Sequence, residues 1–196
     1  MDLIVSTDAG LYCPAGDFYV DPAQGVPRAV LTHAHADHAR SGSKHYWCAA
    51  PGYSLARTRL GSGGGITAVE YGQHFTLGEA RVSLHPAGHV LGSAQVRVEV
   101  GGKVWVLSGD YKRELDPTCL PFEPQRCDVF ITEATFALPA YAWPDPAEVA
   151  QDLFDWWQQA KREGQCALLC AYALGKAQRI LAELLRHTNE TVYLHD

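Results

Sequence analysis

His33-Ala34-His35-Ala36-Asp37-His38 packs three imidazoles and a carboxylate into six residues. Each is a nitrogen or oxygen donor suited to zinc. The small alanines let the loop turn and aim alternate side chains the same way. The stretch follows Val30-Leu31-Thr32, the end of a short apolar strand introduced by the turn signal Gly25-Val26-Pro27. A solvated loop that merely happens to be rich in histidine is the weaker reading, because metal-ligand types at this spacing have a direct chemical use.

Two further candidates stand in similar places downstream. His89 follows Pro86-Ala87-Gly88, after an alternating strand at residues 80–85, and Asp110 follows Val106-Leu107-Ser108-Gly109. Alone, a single histidine or a Gly-Asp turn is more often structural. Beside the first motif both gain weight, since functional sites are commonly built from loops at one end of strands.

The strands themselves are easy to place. Gln95-Val96-Arg97-Val98-Glu99-Val100, then Gly101-Gly102, then Lys103-Val104-Trp105-Val106-Leu107 alternate on both sides of a two-residue glycine turn, the pattern of a hairpin. Val129-Phe130-Ile131-Thr132 reads as a buried strand. Gly61 to Gly65 reads as a flexible loop with no phosphate-loop lysine behind it. After Pro144 the period changes. Asp145 is an N-cap, Pro146 suits the first helical turn and Glu148 completes a capping box. Val149, Leu153, Trp156, Trp157 and Ala160 recur at helical spacing up to Gly164. An apolar strand is expected at 166–173, with Cys166 and Cys170 sharing its buried face. A second helix is expected at 175–187, and a further strand opens at Val192-Tyr193-Leu194. This order predicts a parallel α/β unit. Its last strand is unfinished, so more protein is expected after Asp196.

The 196 residues are 47% hydrophobic and carry a formal charge of −6, which excludes a disordered chain and a generic DNA-coating protein. No apolar run is long enough to span a bilayer, and the start, Met1-Asp2-Leu3-Ile4, lacks the basic and apolar regions of a secretion signal. A cytoplasmic location is therefore expected. The six cysteines lack C-x2-C pairing and read as reduced structural thiols.

The order Asp8, His33/His35/Asp37/His38, His89, Asp110 resembles motifs one to four of the metallo-β-lactamase superfamily. Pro86-Ala87-Gly88-His89-Val90-Leu91-Gly92-Ser93-Ala94, Ser108-Gly109-Asp110-Tyr111 and Ile131-Thr132-Glu133-Ala134-Thr135-Phe136 resemble its nucleic-acid-processing β-CASP branch. Residues 10–19 and 172–178 look most like bacterial DNA ligase-associated exonucleases. The resemblance implies an α/β fold: an αββα sandwich over residues 1–143, running into the beginning of an α/β β-CASP insertion at 144–196.

It also implies that His33, His35 and His89 hold one zinc and Asp37 and His38 a second, with Asp110 bridging them. Manganese is the alternative ion. Asp8 would orient a ligand from outside, although by itself it reads as a turn residue. Glu133 matches the branch's first additional acidic motif, and read alone is equally a half-buried structural acid. Asp37, Asp110 and Glu133 are the implied catalytic carboxylates, acting with a hydroxide between the metals. Lys112, Arg113, Lys176 and Arg179 are candidate backbone contacts, each of which reads equally as solvated surface.

The sequence departs from the family pattern in lacking the final histidine of the second metal and the additional histidine of the insertion. His187 and His195 match neither motif. The implied function is a zinc-dependent DNA exonuclease in repair, with nucleic acid as partner and a functional link to a DNA ligase. The alternatives are an RNA-processing nuclease of the branch, a thioester or lactone hydrolase, and an inactive fragment.

Overall fold

The hairpin expected around Gly101-Gly102 forms, and its strands are the centre of one of two sheets. The computed structural model describes residues 2–195, and the chain divides into two compact units, one ending at Glu133 and the other beginning at Ala134. That division lies earlier than the 143/144 boundary expected from the change of period.

In the first unit, β1 (Val5–Thr7), β2 (Gly10–Cys13), β3 (Phe18–Val20), β4 (Arg28–Val30) and β5 (His45–Ala49) precede α1 (Tyr53–Leu60) and β6 (Gly65–Val69). These six strands form one sheet in chain order, antiparallel over β1–β3 and parallel from β3 to β6. The second sheet comprises β7 (His74–Leu77), β8 (Ala80–Pro86), β9 (Ala94–Val100), β10 (Lys103–Leu107) and β11 (Val129–Ile131). Its order is β11-β10-β9-β8-β7, with β11 parallel to β10. The turn pairs Lys103 with Val100, the register that the two glycines dictate.

One core cluster joins the inner faces of both sheets. Phe18 and Val30 contribute from the first, and Val82, Leu84, Val96 and Val98 from the second, all fully buried. Burying each such side chain is worth roughly 1.5–3 kcal/mol. On the outer face of the first sheet, Ala29, Leu31, Tyr46 and Cys48 pack against Ala56 and Leu60 of α1. Helix against sheet against sheet supplies three successive layers of the αββα sandwich.

The second unit contains α2 (Pro146–Arg162) and α3 (Lys176–Leu184). The Asp145 carboxylate accepts a 2.7 Å hydrogen bond from the Ala147 N–H, so the expected N-cap acts on the second helical residue. Phe154 stacks on His187, ring centroids 5.4 Å apart. Two expectations fail here. Residues 166–173 and 192–194 form no strand. An extended segment becomes a strand by pairing, and among the described residues nothing pairs with either. Leu168 is accordingly 81% exposed and Tyr193 90%, and Cys166 and Cys170 are exposed rather than sharing a buried face.

Candidate metal centre

The chemistry-bearing residues sit where the chain leaves the C-terminal ends of strands. β4 runs into His33, β8 into His89, β10 into Asp110 and β11 into Glu133. Backbone contacts gather these exits. Ala94 N–H donates to the Thr32 carbonyl at 2.7 Å and Lys112 N–H to the Ala87 carbonyl at 3.0 Å. Gly109, at φ 56°, passes so close to Thr32 that a Cβ there would lie 2.5 Å from the Thr32 Cβ. Gly88, at φ 75°, approaches the Lys112 carbonyl in the same way. Only glycine allows both the left-handed turns and these approaches.

His33 Nε2, His35 Nδ1, His89 Nε2 and an Asp110 carboxylate oxygen converge as one potential ligand set, all within 4.8 Å of one another. The separations are 2.9 Å from His33 to His35, 3.3 Å from His35 to His89, and 3.8 and 3.7 Å from Asp110 to His33 and His89. Ligand atoms about 2.0–2.1 Å from a tetrahedral zinc stand roughly 3.3–3.4 Å apart. The observed spacings straddle that value, so the donor set fits such an ion.

A second grouping adjoins it. His38 Nε2 lies 3.3 Å from Asp110 Oδ1 and 3.7 Å from Asp37 Oδ2, which brings together the residues expected around a second ion. Asp37 is the exposed member, its side chain 74% accessible.

Behind both groups stands a residue the sequence reading passed over. Asp21 Oδ2 accepts from His38 Nδ1 at 2.7 Å and from the Thr32 hydroxyl, while Oδ1 accepts from Thr32 N–H at 2.8 Å. With its proton given to Asp21, the Thr32 hydroxyl accepts from His33 Nδ1 at 3.0 Å. One carboxylate thus takes the Nδ1 hydrogen bond of His38 directly and that of His33 through Thr32, leaving Nε2 of both rings facing the cluster, the outer role that ligating histidines require. Asp8, nominated for that role, lies exposed in the β1–β2 turn. The available signal was Val20-Asp21-Pro22, a carboxylate at a strand's end like Asp110.

The electrostatics follow from this crowding. Burial, reinforced by the neighbouring His38 and His89, pushes the His33 pKa far down, and burial also lowers that of His89. Neutral imidazole is the ligating form. Burial opposes charge on His38, but its hydrogen bonds to Asp110 and Asp21 outweigh this and raise its pKa to about 10. The His38 hydrogen bond in turn holds Asp110 well below the ordinary carboxylate range.

The remaining nominated residues scatter. Glu133 is half-buried, accepts from Tyr111 N–H at 3.2 Å and exerts its charge on His89. Lys112 turns inward, its ammonium 3.6 Å from Asp116, whose side chain is 5% exposed, so it is not the solvent-facing contact expected. Arg113 is exposed. In the second unit, Lys176 lies over the Tyr172 ring at 5.5 Å and Arg179 is half-buried. His195 is exposed.

No family profile matches the chain. Among curated proteins it is 32% identical to a probable DNA ligase of Opitutus terrae, over 89% of the chain but 17% of that protein. It is 34% identical to the Neurospora crassa endoribonuclease ysh-1, over 59% of the chain and 14% of the relative. Against the RNase J-like protein of Methanocaldococcus jannaschii it is 25% identical, over 90% of the chain and 48% of that protein. The chain therefore spans less than half the length of each of these relatives.

Proposed function

We infer a metal-dependent nuclease from one premise: the chain belongs to the β-CASP branch of the metallo-β-lactamase superfamily. The observation that carries the inference is the convergence of His33, His35, His89 and Asp110, with His38 and Asp37 alongside. A pair of divalent ions, zinc or manganese, would supply Lewis-acid charge to the phosphodiester oxygens and acidify a water between them. His33, His35 and His89 would hold one ion and Asp37 and His38 a second, with Asp110 close to both groups.

The chain's own groups do the rest. Asp21 and Thr32 fix the tautomer of His33 and the ring orientation of His38 before any ion arrives, and His38 would give up its Nε2 proton to become a ligand. Asp37 and Asp110 would balance part of the ions' charge, and the positive remainder would attract a phosphodiester monoanion. Glu133, held by the Tyr111 N–H beside His89, helps position the phosphate or its leaving group. DNA is the favoured substrate, in an exonucleolytic repair reaction functionally linked to a ligase. The name of the Opitutus relative supports DNA, whereas the names of the Neurospora and Methanocaldococcus relatives favour RNA.

The test is digestion of end-labelled linear DNA, closed circular DNA and RNA beside a thioester substrate. Linear DNA should be consumed first. His33→Ala and Asp110→Ala should each reduce cleavage by more than about a hundredfold, beyond the 10–100-fold typical of residues behind the ligands. Thioester hydrolysis with intact nucleic acid would overturn the reading.

A further inference from the structure

The chain's charge is unevenly distributed around the histidine loop. Between His38 and Val69 stand four of the 16 basic residues, Arg40, Lys44, Arg57 and Arg59, and none of the 22 acidic ones. The rest of the chain holds the other 12 basic residues against all 22 acidic ones, so this stretch is positive within an acidic chain.

Two of these arginines grip the loop itself. Arg59, in the last turn of α1, donates from Nε to the Ala34 carbonyl at 3.4 Å. Arg40 donates from Nε to the Asp37 carbonyl at 3.3 Å and from Nη1 to the Ala23 carbonyl at 3.1 Å. One guanidinium therefore brackets the start of the six-residue loop and the other its end. Both residues are exposed, and among the described residues neither is paired with a carboxylate. Arg57 leaves the opposite flank of α1: with Ala56 and Leu60 buried, residues 57 and 59 project about 200° apart at 3.6 residues per turn.

A guanidinium that spends one edge on a backbone carbonyl keeps its other N–H groups in a fixed fork. That fork matches phosphate oxygens, and its preorganisation spares ordering cost on binding. We propose that Arg40 and Arg59 form a two-point clamp on the nucleic-acid backbone, engaging the phosphates on either side of the one presented to the metal loop. The clamp deepens the nuclease reading and rests on it for the identity of the central phosphate. Its charge logic is local: it supplies positive potential where an otherwise acidic surface repels a polyanion.

The experiment measures binding rather than cleavage, so the two ideas fail separately. Fluorescence anisotropy with a labelled oligothymidylate of about 20 nucleotides is followed from about 50 to 200 mM salt. Each phosphate contact on a single strand contributes about −0.7 to the log–log salt slope, so losing two removes about 1.4 and about a sevenfold fall in affinity over that range. The double variant Arg40→Gln/Arg59→Gln should show that flattening. Arg40→Lys/Arg59→Lys should restore the slope, and Lys103→Gln, at the hairpin turn remote from Asp110, should leave it unchanged. Should the glutamine variant fold poorly, phenylglyoxal footprinting of the unaltered protein gives the answer: the oligonucleotide should shield Arg40 and Arg59 and leave exposed Arg126 reactive. A wild-type salt slope in a folded glutamine variant, or no shielding of the two arginines, overturns the clamp. Binding by the clamp without any cleavage would instead remove the nuclease reading alone.

Discussion

The two units of this chain show what a local pattern can and cannot specify. Up to Glu133, alternating strands find neighbours, close two sheets over one core and bury Val82, Leu84, Val96 and Val98 completely. From Ala134 onward, the helices α2 and α3 form as their sequence signals predict, yet the apolar stretches read as strands stay unpaired as strands and accessible. A helix satisfies its backbone within its own segment; a strand borrows its partners from elsewhere. The lesson is that helical periodicity is self-sufficient information, whereas an apolar run is only half of a statement about a strand.

The contrast is broken most readily by side-chain truncation. Leu84→Ala should cost about 2–5 kcal/mol, read as a lowered midpoint in denaturant, because the packed surroundings cannot collapse into the gap. Leu168→Ala, removing an apolar side chain of the same size that is 81% exposed, should stay within about 0.5 kcal/mol. Similar costs at both positions would mean the second unit holds a core that its accessible leucines conceal.

A smaller effect is expected at Asp21, where the first unit invests in its site rather than its core. Asp21→Asn preserves shape but removes the charge that takes the protons of His38 and Thr32. Zinc affinity, measured by competition with a chromogenic chelator, should fall about 10–100-fold, while Asp8→Asn should leave it unaltered. The reverse ranking would restore Asp8 to the role first assigned to it.

The smallest change sharpens the picture of the second unit. Asp145→Ala removes the side-chain acceptor at the start of α2 and should cost about 1 kcal/mol of helix stability, seen as a modest loss of helical circular dichroism. No change would mean that packing, not the cap, determines where α2 begins.

The site was legible in the sequence to the extent that its residues are consecutive or follow strand-and-glycine signals. His33, His35, Asp37 and His38 announce themselves by density, and His89 and Asp110 by their place after an alternating strand. Asp21 did not, because nothing near it reveals that His38, 17 positions away, points its Nδ1 at that carboxylate. The inward turn of Lys112 was equally invisible: its partner Asp116 is one helical turn along, but in a segment with no helix to make that spacing meaningful. The same principle covers the fold. The 95–107 hairpin carries its partner next to it in the chain; residues 166–173 do not.

The account turns on four side chains from three strand exits sharing one divalent ion. Diffraction from crystals grown with zinc, recorded above the zinc absorption edge, tests that directly. The expected result is an anomalous peak enclosed by His33 Nε2, His35 Nδ1, His89 Nε2 and the Asp110 carboxylate. A peak confined to other residues, or none at full zinc occupancy of the solvent, would contradict it.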